Sequence, residues 1–203
     1  STLLASSAAS DVYKRQTQAR TYLYNLKTKE KKLVKEQVIP TGHDPKNYIV
    51  QRIECNSDDG RKVPLTITRH KDTPLDGSAN LLLYGYGSYG ASMSPSFSST
   101  RLSLINRNII WVTAHIRGGM ERGMKWWKEG KLLNKKNTFN DYIAAAKFLI
   151  EKKYTSKGKI IGMGGSAGGL LMGAVVNKAP DLFLGMIMAC LLYTSPSPRD
   201  TDK

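Results

Sequence analysis

A serine set among glycines is the first place in this chain where chemistry could happen: Gly164-Gly165-Ser166-Ala167-Gly168. Flanking glycines allow a sharp, strained turn and close approach of neighbouring backbone, and a hydroxyl on such a turn is pushed out at the end of a sheet. The N–H of Ala167 would then open a helix, where it can donate to a developing oxyanion. A serine hydroxyl is a weak nucleophile until a base takes its proton, and where a strand–Ser–helix elbow supplies the nucleophile the acid and the histidine follow it in sequence. His43, His70 and His115, the three histidines, all precede Ser166. His115 ends an apolar run and reads as a satisfied structural side chain. Asp181 follows the serine, but directly after the helix that leaves it, too early for a triad acid. The expectation is that this chain holds neither the acid nor the base of a triad and is inactive alone.

The elements that must position Ser166 are legible around it. Ile160, Ile161 and Met163 form an apolar run before the glycines, and Leu170, Leu171, Ala174 and Val175 follow at helical spacing, which predicts strand, turn and helix. Upstream, residues 81–84 and 108–116 are continuous apolar runs suited to strands buried on both faces. Residues 48–55 and 61–70 read as an antiparallel pair, with Val63, Leu65 and Ile67 alternating with polar neighbours and one face in solvent. Phe139, Tyr142, Ile143, Ala146, Leu149 and Ile150 predict a helix, begun by a Thr138/Asp141 capping box. Residues 184–189 form one more buried strand. Residues 21–34 read as a β-hairpin, and Pro40 to Pro45 (PTGHDP) mark a linker with a domain boundary around residues 40–46. The result is an α/β domain with a mostly parallel sheet and antiparallel N-terminal strands.

Composition narrows the function classes. The chain has 203 residues, 40% hydrophobic and 23% charged, which suits a soluble globular protein. The net charge of +15 is spread along lysine-rich stretches without a nucleic-acid-binding motif, so a solvated surface is expected and no nucleic-acid partner. No apolar run could span a bilayer, and the expectation is a cytoplasmic protein without a membrane partner. Cys55 and Cys190 are far apart and fit neither a disulfide framework nor a metal site. Gly85-x-Gly87-x-x-Gly90 matches a dinucleotide fingerprint, but neither an immediate helix nor an acidic residue about 20 positions on accompanies it. Gly162-x-Gly164-x-x-Ala167 also matches, yet its Asp181 precedes an apolar run instead of ending one. No cofactor and no metal is expected.

Four separated motifs then carry a resemblance: residues 84–90 (YGYGSYG), 116–119 (IRGG), 135–142 (KKNTFNDY) and 164–173 (GGSAGGLLMG). In this order they resemble the prolyl oligopeptidase family of serine peptidases, its oligopeptidase B branch most of all. The resemblance implies an α/β-hydrolase catalytic domain, of which residues 47–189 would be the N-terminal part. Residues 17–46 would be the end of a preceding β-propeller and a linker, with the hairpin as its remnant. Residues 1–16 and 190–203 resemble translated sequencing-adapter read-through, and neither is expected to belong to the natural protein.

By the same resemblance Ser166 would form an acyl-enzyme on short peptide substrates. Ala167 N–H and the Tyr86 hydroxyl would bind the oxyanion, with Gly164, Gly165 and Gly168 shaping the elbow. The residues alone leave Tyr86 open between that role and a packing aromatic, though the loop after this strand is where such a fold supplies its second donor. Arg117 is expected to shape the sheet edge, in a structural ion pair. The branch cuts after Arg or Lys, yet residues 85–107 hold no Asp or Glu, and Ser94 and Ser96 stand where acidic residues would be expected. A generic esterase and a non-catalytic α/β-hydrolase-like module are the alternatives. Oligomeric state has no signature in the sequence.

Overall fold

The computed structural model describes residues 3–5, 17–40, 42–93 and 96–190. Two sheets organise them. In the first, strands β1 (Leu3–Ala5), β2 (Arg20–Tyr24) and β3 (Lys31–Glu36) are antiparallel in that order. The expected hairpin is β2–β3, closed by Asn25, whose side chain accepts from the backbone N–H groups of Lys27 and Thr28. Strand β1 was not expected; three residues are too few for a pattern to show, and its backbone pairs with the edge of β2. The remaining residues of 1–16, residues 191–203 and Ser94 lie outside the described residues.

The second sheet has six strands in the order β4-β5-β7-β6-β8-β9: β4 (Tyr48–Asn56), β5 (Lys62–His70), β6 (Leu81–Gly85), β7 (Ile110–Ala114), β8 (Ile160–Ser166) and β9 (Phe183–Cys190). Strands β4, β5 and β7 pair antiparallel, whereas β7, β6, β8 and β9 pair parallel. Strand β6 is central and carries Leu81 and Leu83 to one core and Leu82 to another. Helices α3 (Lys135–Glu151) and α4 (Ala167–Lys178) cover the first face through Tyr142, Leu149, Leu171 and Val175. Helix α1 (Ser99–Ile105) covers the second through Leu102 and Ile105. Coverage of both faces is why β6 and β7 read as unbroken apolar runs; β9, expected as a buried strand, instead forms the sheet's edge and leaves Leu184, Ile187 and Met188 exposed, because no helix of the described residues covers its outer face. No helix among the described residues is long and apolar enough to cross a membrane.

Three further local expectations change. Strand β5 has no solvated face: Pro64, Thr66 and Thr68 are buried as well as Val63, Leu65 and Ile67, because β5 lies inside the sheet and its threonine face packs toward His115 and α1. Helix α3 starts at Lys135 without a side-chain cap, so Thr138 and Asp141 do not form a capping box. Both are buried inside the helix, where the Thr138 hydroxyl donates to Arg117 O and Gly130 O and Asp141 binds Arg117. Tertiary partners took the groups that local capping would have used. Helices α1 and α2 (Met124–Lys128) were not read from sequence; they are too short for an apolar period to show.

Candidate active site

Ser166 lies at the junction of β8 and α4 with φ 53° and ψ −123°, a left-handed conformation that a non-glycine residue holds only where its surroundings impose it. The surroundings are glycines. A Cβ on Gly164 would collide with the carbonyl of Gly168, and one on Gly168 would come within 3.0 Å of Gly85 O. Gly165 has no such constraint, since a Cβ there would rest 3.7 Å from Ala189 Cβ in ordinary contact. The tight packing of 164, 168 and 85 brings the elbow against the end of β6, and Ser166 itself is exposed. Ala167 begins α4, so its N–H is among those without an intrahelical acceptor.

Tyr86, half-buried, follows β6 directly and lies beside the elbow: a Cβ on Gly168 would contact its Cδ2 at 3.6 Å. Beneath it, the Tyr142 hydroxyl donates to Leu83 O at 2.6 Å and the ring fills the space where Gly85 has no side chain. Burial pushes the Tyr142 phenol well above its ordinary range, so it stays protonated and keeps the proton it donates to Leu83 O. Gly87 and Gly90 have φ of 64° and 66° and Tyr89 one of 56°, and the next helix begins only at Ser99. That separation ends the dinucleotide reading, which needs a helix N-terminus at this turn.

The turn is held by residues beyond β7. A Cβ on Gly118 would fall on the Gly87 carbonyl oxygen, and Gly90 N–H donates to Gly118 O at 2.9 Å. Arg117, 2% exposed, fixes that segment: its Nε and Nη2 donate to Asp141 at 2.8 and 2.6 Å, and Nη1 to Asp59 at 2.5 Å. Ser57 Oγ also donates to Asp141, at 2.6 Å. Burial pulls the guanidinium down, but the hydrogen bonds to Asp141 and Asp59 outweigh it and leave it above its ordinary value. The expected structural ion pair is therefore present, with two carboxylates that sequence reasoning did not assign; Asp141 was visible only as part of the supposed cap.

The histidines are distributed as their positions in the sheet require. His115 Nε2 is 2.8 Å from Thr66 Oγ1 and its Nδ1 3.3 Å from Glu121 Oε1. Two strand spacings separate β7 from β8, so the ring is engaged on the β5 side, away from the elbow. His70 ends β5, which runs antiparallel to β7, and so lies at the edge opposite Ser166. The His43 ring stacks on Tyr48, the register partner of His70, at that same edge. Asp181 precedes β9 in an exposed turn and pairs with Lys157.

A cleft of about 420 Å³ opens on the α1 face below the elbow, lined by Tyr84, Ser92, Ser96, Arg101, Trp111 and Met163 among others. Arg101 lies over the Trp111 ring at 4.9 Å and donates to Ser96 O at 2.9 Å; burial pulls its guanidinium below the ordinary value. No carboxylate lines this cleft among the described residues, and no cluster of three or more His, Cys, Asp or Glu that could hold a metal ion occurs among them.

Comparison with known proteins agrees with the geometry. Residues 95–193 match the sequence profile of the prolyl oligopeptidase family. The chain is 48% identical over 168 residues to a dipeptidyl aminopeptidase BI from Pseudoxanthomonas mexicana, covering 82% of this chain and 23% of that one. It superimposes on oligopeptidase B from Leishmania major with a TM-score of 0.77 at 42% identity, covering 84% and 24%. It also superimposes on prolyl oligopeptidase B from Galerina marginata bound to a 35mer hydrolysis and macrocyclization substrate, with a TM-score of 0.79 at 35% identity and coverage of 85% and 25%. The chain thus spans about a quarter of the length of the relatives it matches. The six-stranded sheet with its elbow is part of an α/β-hydrolase fold.

Proposed function

Because this chain belongs to the prolyl oligopeptidase family, we propose that it carries the nucleophile side of a serine peptidase site acting on short peptides. Ser166 Oγ attacks the scissile carbonyl; the C–O bond forms, the C–N bond breaks and the proton passes through a general base to the leaving amine, giving an acyl-enzyme that water hydrolyses. Ala167 N–H and the Tyr86 hydroxyl receive the oxyanion. The observation that carries this reading is the strained, exposed Ser166 at the β8–α4 turn with Tyr86 packed against Gly168.

The base and acid come, in this proposal, from polypeptide that follows the parallel strands described here, in the order Asp then His. His115 is held by Thr66 and Glu121, and His43, His70 and Asp181 lie at the other edge. This chain alone is therefore inactive, or nearly so. Cleavage after basic residues remains the proposed preference through the oligopeptidase B likeness; its carboxylates would be supplied outside the described residues, since the cleft beside the tyrosine loop presents Arg101.

A fluorophosphonate probe tests the reading. Slow labelling of this chain that Ser166→Ala abolishes is expected; rapid labelling would reveal a base near Ser166 within this chain and overturn the proposal that the base lies elsewhere. The chain extended through its genomic reading frame is expected to hydrolyse arginyl peptides in a Ser166-dependent way. An extended protein that cleaves only simple esters, or nothing, overturns the peptidase assignment.

A further inference from the structure

Lys135 opens α3, and its side chain turns toward the tyrosine-glycine turn. The ammonium donates to Gly87 O at 2.5 Å and to Ser88 Oγ at 2.7 Å. No carboxylate lies within salt-bridge distance of it among the described residues, unlike Lys125 and Lys157, which pair with Glu129 and Asp181. Burial pushes the ammonium down to about 8, so the charge is kept where it costs stability. In return it fixes the orientation of one peptide group.

That peptide group matters because of what precedes it. Gly87 is at φ 64°, its carbonyl is wedged against Gly118, and a Cβ at Gly87 would collide with Thr138. Beyond it the turn closes on itself through Ala91 N–H to Ser88 O at 3.0 Å. The backbone that carries Tyr86 is thus gripped from β7's extension by packing and from α3 by an ammonium. We propose that Lys135 is a positioning residue: by gripping the Gly87 carbonyl and the Ser88 hydroxyl it holds the turn that aims the Tyr86 phenol at the oxyanion beside Ser166. The inference rests on the reading of Tyr86 as an oxyanion donor.

The test combines amide hydrogen exchange with fluorophosphonate labelling of Ser166 in this chain, for Lys135→Met, Tyr86→Phe and the double variant. Lys135→Met is expected to lower protection of the Gly90 and Ala91 amides about tenfold while α3 and α4 keep theirs. Tyr86→Phe should slow labelling by roughly 10²-fold, the usual loss for one oxyanion donor. Lys135→Met should slow it less, and the double variant should be no slower than Tyr86→Phe alone, because the lysine acts through the phenol. Unchanged turn protection overturns the proposal, and so does additive slowing in the double variant. Full labelling speed in Tyr86→Phe refutes the oxyanion reading of Tyr86 and the aim given to the lysine, while the exchange data still decide the grip. If Ser166 labels no faster than the Ser166→Ala blank, exchange alone decides. Where Lys135→Met fails to fold, Ser88→Ala removes one of the two acceptors and makes the same comparison.

Discussion

Asp141→Ala should be the most damaging single change in the buried polar network, and its size can be worked from the contacts. Asp141 is fully buried and accepts from Arg117 Nε, Arg117 Nη2, the Arg117 backbone N–H at 3.0 Å and Ser57 Oγ. Removing it strands a guanidinium that cannot shed its proton, together with a buried N–H and a buried hydroxyl. Breaking a buried pair from one side costs about 3–5 kcal/mol. With an m-value of roughly 2 kcal/mol per M, the urea midpoint should fall by about 2 M. Asp59→Asn provides the internal control. Its carboxylate also binds Arg117, but its side chain is 46% exposed, and such a pair contributes about 0–1 kcal/mol. Trp126 reports the transition, since its indole N–H donates to His115 O and Arg117 lies over its ring. The Asp141 deficit should persist at high salt, whereas the Asp59 deficit should shrink. Arg117→Met combined with Asp141→Leu should recover part of the loss, leaving the Ser57 and backbone donors as the remainder. If Asp141→Ala is too unstable to fold, Asp141→Asn keeps one acceptor and should fall between the two. Equal midpoint shifts for Asp141→Ala and Asp59→Asn would refute the argument that burial sets the magnitude.

Gly118→Ala puts a Cβ against Gly87 O at a φ of 97°; backbone strain alone costs about 1–3 kcal/mol, and Ser166 labelling should slow as the turn shifts, read by calorimetry and the probe. Lys135, pushed down to about 8 from an ordinary 10.5, binds its proton more tightly in the unfolded chain, so this residue's contribution to stability should rise with pH between those values. A parent protein that gains nothing over Lys135→Met from pH 8 to 10.5 in urea midpoints would contradict that sign. Burial pushes the Cys55 thiol up to about 12, so at pH 8 its thiolate is about a thousandfold scarcer than an ordinary one. In a Cys190→Ser background a disulfide reagent should therefore react slowly with the folded chain and quickly in denaturant.

The α/β class, the parallel strands, α3 and the elbow were legible because apolar runs and the glycine spacing around Ser166 are local signals, and the family because four motifs stand in order along the chain. The parts that were misread share one cause. Thr138 and Asp141 have the spacing of a cap, yet helix α3 begins at Lys135 and both side chains turn to Arg117 and its neighbours. Thr66 and Thr68 read as a wet face because threonine is polar, but Thr66 bonds His115 in the interior. The sequence by itself determined which residue would be pressed out at the end of β8, since the strand, glycine–serine turn and helix are local signals; it did not separate Gly164 and Gly168, which have no room for a Cβ, from Gly165, which has. Only the tertiary structure decided what holds the tyrosine turn: Gly118 against Gly87, Lys135 on the Gly87 carbonyl, and Asp141 beneath Arg117. Those contacts join residues tens of positions apart, and a buried charge chooses its partner by proximity in space, which spacing along the chain does not encode.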